Sequence, residues 1–315
     1  MRAIGFDQPG GPEVFRLLEV PEPHAGPGEV RIKVRAATVN PSDLATRSGV
    51  LHDRYREVTP PYIPGWDAAG VVDEADPETG WRPGDQVIAI TLPVFGGGGA
   101  YAEQIVVPAA SVARIPAGSD FAAASTLPMN GLTARLALDA VKLVPGRSIA
   151  VTGAAGAVGG YVIQLAKHAG LTVVADAAPR DESLIRDLGA DIVVPRGEDV
   201  AEQIRRHLPD GVDALVDGAL QRQLVVPAIR DHGAYVALRP TTMTGPVKSE
   251  RGIAVLLVMV GDYVKETEKL DELRQLVEDG AVTLRVARTL PFTEAAEAHR
   301  LLEAGGLRGR VVLEF

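Results

Sequence analysis

The chain has 315 residues, 46% of them apolar, with a formal net charge of −9 and no cysteine. That length and apolar fraction suffice for two domain cores, and the dispersed acidic residues exclude the basic footprint of a nucleic-acid binder. The missing cysteines exclude disulfides, thiolate zinc sites and a cysteine nucleophile.

The opening segment MRAIGFDQPGGPE lacks the apolar stretch of a signal peptide, and no apolar run reaches the roughly 18 residues of a membrane span. A cytoplasmic protein with no membrane association is expected. Residues 1–120 read as short β segments between Pro and Gly turns. Residues 30–36 (VRIKVRA) alternate with period two, and 70–72, 86–90 and 101–107 read as further strands around turns at Thr79-Gly80 and Pro83-Gly84. The four glycines at 96–99 read as a flexible loop.

From Phe121 the period changes, with helical patterns at 122–124 and 131–140. Residues 148–178 then run strand, glycine turn, helix, strand. Ile149, Ala150 and Val151 lead into Gly153-Ala154-Ala155-Gly156-Ala157-Val158-Gly159. Val162, Ile163, Leu165 and Ala166 follow with helical spacing, and the apolar run 171–175 ends on Asp176, 20 residues after Gly156. This is the context of a dinucleotide fingerprint. Ala154, Gly156 and Gly159 fill its three positions, Ala154 replacing the first glycine. Amides of the helix start, at Ala157 and Val158, can then approach a pyrophosphate. The alternative is a tight strand-to-helix turn that binds nothing.

Alternating units follow: helix 182–188, strand 192–194, helix 200–207, strand 214–216, helix 225–230 and strand 234–238. This alternation predicts a doubly wound parallel sheet. Residues 239–250 are polar and marked by Pro and Gly, as in a mobile loop over a site. Residues 253–260 are apolar without alternation, either a buried strand or an edge that pairs with a second subunit. An amphipathic helix at 262–280, a strand at 283–289, a helix at 293–304 capped by Thr293 and a strand at 310–315 complete the chain. This tail is expected to return to the first domain.

Several motifs in order carry a resemblance over nearly the whole length: Val39-Asn40-Pro41-Ser42-Asp43, Pro64-Gly65-Trp66-Asp67-Ala68-Ala69-Gly70, Pro83-Gly84-Asp85, Gly99-Ala100-Tyr101, Gly131-Leu132-Thr133-Ala134, the AAGAVG turn and the AAEAHRLLE ending. The chain resembles a zinc-independent member of the medium-chain dehydrogenase/reductase superfamily, in the quinone oxidoreductase (zeta-crystallin-like) group. The resemblance implies an α/β protein of two domains. One is a GroES-like, β-rich catalytic domain (1–120 with 266–315), the other an inserted Rossmann domain with a doubly wound parallel sheet (121–265), and the active site lies in the cleft between them. It also implies NADPH as hydride carrier and a homodimer formed through Rossmann edge strands.

Zinc-dependent relatives place a cysteine where this chain has Asn40 and a His-Glu pair where it has Trp66-Asp67, and their structural zinc loop needs four cysteines. No metal is therefore expected. Without zinc, alcohol oxidation loses the means of lowering the hydroxyl pKa, whereas reduction of quinones or α,β-unsaturated carbonyls needs only donors to a developing oxyanion. In the family, the Asn40 position lies near the nicotinamide and offers an amide N–H to a substrate oxygen, and Thr133 touches the nicotinamide or its ribose. Tyr55 and Tyr62 are candidate proton donors, with solvent as the alternative. Asp43 and Asp67 read as makers of local loop hydrogen bonds.

The cofactor signals conflict. Asp176 ends the second strand, where a carboxylate accepts from the ribose hydroxyl of NAD and repels the 2′-phosphate of NADP. Arg180, in Ala177-Ala178-Pro179-Arg180, resembles the family's Ser-Pro-Arg segment, whose arginine binds that phosphate. The weight falls on NADPH, with NADH kept open. The leading function is reduction of quinones or α,β-unsaturated carbonyls. Its alternatives are an enoyl reductase dedicated to a biosynthetic pathway and a non-catalytic, dinucleotide-binding redox sensor.

Overall fold

The computed structural model describes residues 1–55, 57–93, 98–240 and 245–315. The glycine loop read at 96–99 and the mobile loop read at 239–250 therefore fall partly outside the described residues. Two compact units emerge. One comprises Met1–Met129, Gly261–Gly280 and Leu284–Phe315, the other Asn130–Val260 with Ala281–Thr283.

The first unit is built on a seven-stranded sheet. Its central strand, Glu29–Thr38, buries Val30, Ile32 and Val34 while Lys33 and Arg35 face solvent, as its period-two pattern requires. It pairs antiparallel with Asp67–Ala75 and Gln104–Pro108. The closing strand Arg310–Glu314 pairs with it as well, Val312 opposite Thr38. Ile32, Val34, Tyr101, Ile105 and Phe292 meet in the core between these strands. Each such side chain stabilises the unit by roughly 1.5–3 kcal/mol.

The second unit is a six-stranded parallel sheet in the order Ile192–Pro195, Thr172–Ala177, Ser148–Thr152, Val212–Asp217, Ile229–Ala237, Ala254–Leu257. Numbered along the chain, this is 3-2-1-4-5-6, the doubly wound Rossmann order, in which ligands bind beyond the carboxyl ends of the strands. The central strands are apolar on both faces, with Ile149, Val151, Val174 and Leu215 all buried.

Three expected elements take another form. Residues 225–230 contain only a 3-10 turn, Val226–Ala228, after which the strand Ile229–Ala237 begins. Pro227 has no N–H to continue a helix, and the β-branched Ile229 starts the sheet pairing. The amphipathic segment opens with a 3-10 turn, Val260–Tyr263, and its α-helix spans Thr267–Glu278. Thr293 lies inside a 3-10 turn, Phe292–Glu294, so the last helix, Ala295–Ala304, is preceded by Glu294 instead of being capped by the threonine. Among the described residues no helix is long and apolar enough to cross a membrane.

Candidate functional site

In the second unit the strand Ser148–Thr152 ends at Gly153, whose φ of +65° turns the chain sharply. The helix Ala157–His168 starts from Gly156 without any side-chain cap. Its first i to i−4 bond is donated by the Gly160 amide to the Gly156 carbonyl, at 3.0 Å. The amides of Ala157, Val158 and Gly159 thus precede the helical ladder, at the positive end of the helix dipole. A Cβ on Gly159 would stand 2.5 Å from the Gly153 oxygen and 2.8 Å from the Ala154 Cα, so only glycine lets helix and turn close this tightly. An uncapped helix start on a glycine turn fits a dinucleotide pyrophosphate.

Asp176 lies in the neighbouring strand Thr172–Ala177 and is 2% exposed. Both of its carboxylate oxygens are engaged. Oδ1 accepts from the Ala154 amide at 3.0 Å, and Oδ2 accepts from Arg196 Nε at 3.0 Å. Arg196 follows the next parallel strand, Ile192–Pro195, and its side chain is 44% exposed. Arg180 is exposed in the 3-10 turn Pro179–Asp181. The six fingerprint and acidic positions therefore gather at the carboxyl ends of two neighbouring strands of one sheet. Arg196 was not marked by sequence; a lone arginine after a short strand has no local pattern, and its pairing with Asp176 spans 20 residues.

In the first unit Asn40 precedes the helix Pro41–Arg47 and is fully buried. Its Nδ2 donates to Asp67 Oδ2 at 2.6 Å and to the Thr38 carbonyl at 3.3 Å. The amide hydrogens expected to meet a substrate oxygen are thus held by the chain itself. Asp67 also accepts the Met129 amide at 2.6 Å, at the start of the helix Pro128–Val141. Thr133, half-buried, sits on the same helix one turn further on. Asp43 accepts the amides of Asn40 and Gly65, each at 2.8 Å. Burial pushes both carboxyls up to about 7, against the pull of these N–H donors.

Tyr55 donates to the Thr46 carbonyl at 2.7 Å, and burial pushes its hydroxyl up to about 12. Tyr62 packs against the ring of Tyr55, centroids 4.8 Å apart. Both tyrosines are engaged in loop packing. Trp66, 7% exposed and next in sequence to Asp67, has a buried indole N–H with no hydrogen-bond partner among the described residues. In the sequence Trp66 stands in the Pro64–Gly70 motif and at the place of a zinc ligand of the zinc-dependent relatives. His299 is buried between the Tyr101 hydroxyl (Nε2, 3.1 Å) and Arg47 (Nδ1, 3.4 Å). Burial first, and then the Arg47 charge, pull its pKa down to about 3. Among the described residues no cluster of three or more His, Cys, Asp or Glu could hold a metal ion.

A Rossmann unit with an uncapped glycine turn, carried in one chain with a β-rich GroES-like unit, defines a two-domain nicotinamide oxidoreductase fold. Residues 26–117 match the alcohol dehydrogenase GroES-like domain family and residues 188–313 match the zinc-binding dehydrogenase family. The chain is 31% identical to the chloroplastic quinone-oxidoreductase QR1 of Triphysaria versicolor, covering 100% of this chain and 98% of that protein. It is 32% identical to the chloroplastic NADPH-dependent alkenal/one oxidoreductase of Arabidopsis thaliana, covering 99% and 79% respectively. The solved structure of the quinone oxidoreductase from Coxiella burnetii superposes with a TM-score of 0.87 at 29% identity, over 100% of this chain and 99% of that one. The chain belongs to the medium-chain dehydrogenase/reductase superfamily, in its quinone oxidoreductase group.

Proposed function

We propose that the protein is an NADPH-dependent reductase that passes hydride to quinones or α,β-unsaturated carbonyls without a metal. The observation that carries this reading is the uncapped start of the helix that follows Gly156, where the amides of Ala157, Val158 and Gly159 precede the helical ladder and fit a pyrophosphate. The substrate class is supported by the similarity to a quinone oxidoreductase and an alkenal/one oxidoreductase. Bound NADPH supplies the hydride. The amides of Ala157, Val158 and Gly159 hold its pyrophosphate, and Thr133 contacts the nicotinamide or its ribose. Hydride arrival leaves an enolate or phenolate oxygen on the substrate, which needs a hydrogen-bond donor and then a proton from solvent.

Asn40 serves this site as a positioning residue, through Asp67 and the helix that Asp67 anchors at Met129.

The function itself is tested by anaerobic oxidation of NADPH, with NADH in parallel, against a simple quinone and a simple enone in the presence of a chelator. Turnover that survives the chelator supports the reading; binding without turnover on either acceptor overturns it in favour of a dedicated enoyl substrate or a sensor.

A homodimer belongs to the same proposal. Among the described residues the strand Ala254–Leu257 pairs on one side only, with Ile229–Ala237, and its Val255 and Leu257 side chains are 37% and 47% exposed. An open edge with apolar side chains favours pairing with a second copy. Leu257→Glu is expected to convert the dimer to monomer in sedimentation at micromolar concentration. A monomeric parent protein would refute the assembly.

A further inference from the structure

The acid at the end of the second Rossmann strand, in its usual role, faces the adenosine ribose and selects NAD. Here that carboxylate is unavailable. Asp176 is 2% exposed and both oxygens are occupied, one by the Ala154 amide of the glycine turn and the other by Arg196 Nε. Its negative charge is matched by an arginine fixed at the carboxyl end of the adjacent strand. The three strands involved are parallel neighbours: Ser148–Thr152 pairs with Thr172–Ala177, which pairs with Ile192–Pro195. Their carboxyl ends therefore point the same way. The glycine turn follows the first, Arg180 follows the second and Arg196 follows the third directly. The Arg196 amide also donates to the Ala177 carbonyl at 2.9 Å, which pins its backbone to the end of the Asp176 strand.

Of the five N–H donors of a guanidinium, Arg196 commits its Nε to Asp176. Its remaining four, on the two Nη atoms, have no partner among the described residues, and neither does the exposed Arg180. Two partly free guanidinium groups at the carboxyl ends of neighbouring strands offer N–H donors to an anion in a protein whose net charge is −9. A planar guanidinium oriented by a carboxylate presents paired donors to a phosphate.

We propose that Asp176 is a positioning residue and Arg196 a specificity residue: Asp176 aims Arg196 so that it receives, together with Arg180, the 2′-phosphate of NADPH. The pair turns a position expected to reject NADP into one that prefers it. This rests on the dinucleotide reading above.

The test is calorimetric binding of two adenosine fragments, 2′,5′-ADP and 5′-AMP, to the parent, Arg196→Gln and Asp176→Asn proteins, so that no turnover enters the readout. The parent is expected to bind 2′,5′-ADP at least 10-fold more tightly than 5′-AMP. Arg196→Gln, a change at an exposed side chain, is expected to weaken 2′,5′-ADP on the order of 10–100-fold and leave 5′-AMP within about twofold. Asp176→Asn is expected to weaken 2′,5′-ADP in the same direction, because Arg196 loses its anchor.

If 2′,5′-ADP instead binds Asp176→Asn more tightly than the parent, Asp176 repels the phosphate and the proposal falls. Equal parent affinities for the two fragments also overturn it while leaving the dinucleotide site standing. Binding of neither fragment, nor of NADPH, removes both readings together. Should Asp176→Asn fail to fold, the Arg196→Gln arm alone decides.

Discussion

Gly159→Val is expected to abolish dinucleotide binding, weakening NADPH roughly 100-fold or more in fluorescence titration. The substituted Cβ would stand 2.5 Å from the Gly153 oxygen and 2.8 Å from the Ala154 Cα, and both are backbone atoms that no rotamer change can move aside. The helix Ala157–His168 must therefore retreat from the turn. The amides of Ala157, Val158 and Gly159 move with it, away from the place proposed for the pyrophosphate. Separating helix from strand also loosens packing around Val162 and Ile163, both buried, at a cost of about 1–3 kcal/mol. Binding should fall much further than stability, since the anion site depends on the geometry of the turn while the core can relax. An NADPH affinity within twofold of the parent's would show that the helix start holds no phosphate.

That turn was legible because everything it needs is local. Strand, glycines, helix and second strand lie within 30 consecutive residues, and each announces itself by period or by turn chemistry. The long alternating strand Glu29–Thr38 was legible for the same reason. What the sequence hid are side-chain partners far apart in the chain. Asn40 reads as a free amide before Pro41, but its Nδ2 meets Asp67, 27 residues away. Asp176 reads as a ribose acceptor, but its oxygens are taken by Ala154 and Arg196, 22 and 20 residues distant.

Local chemistry also misled where two signals compete. Thr293 looks like a cap because glutamates follow it, yet the chain tightens into a 3-10 turn and starts its α-helix two residues later. At 225–230 the alternation of strands and helices suggested a helix, where Pro227 and the demand of sheet pairing at Ile229 decide for a strand. In both places a tertiary or backbone constraint overrides a weak local preference.

Asp67→Asn is expected to destabilise the first unit by about 2–4 kcal/mol and to remove the decline of its stability toward neutral pH. Asp67 gives one oxygen to Asn40 Nδ2 and the other to the Met129 amide, each at 2.6 Å. Asparagine offers one oxygen and one NH2 group, so one of the two buried donors meets another donor. The titration argument is separate. Burial raises the Asp67 and Asp43 carboxyls from 3.8 to about 7, so the folded state holds these protons more tightly than the unfolded state does. The stability they contribute is complete below pH 3.8, falls as pH rises toward 7 and is flat above. His299, lowered from 6.5 to about 3, acts oppositely: its contribution is complete above pH 6.5 and is lost as pH falls toward 3. In the parent the two carboxyls outweigh the single imidazole between these limits, and stability declines toward neutral pH. Removing one titrating carboxyl leaves Asp43 and His299 nearly balanced, so the decline should vanish or reverse. Both tryptophans, Trp66 and Trp81, lie in the first unit, so urea denaturation followed by tryptophan fluorescence reads that unit alone. Curves for parent and variant that stay parallel from about pH 5 to 8 would show that Asp67 is ionised throughout and that the node is held by its charge.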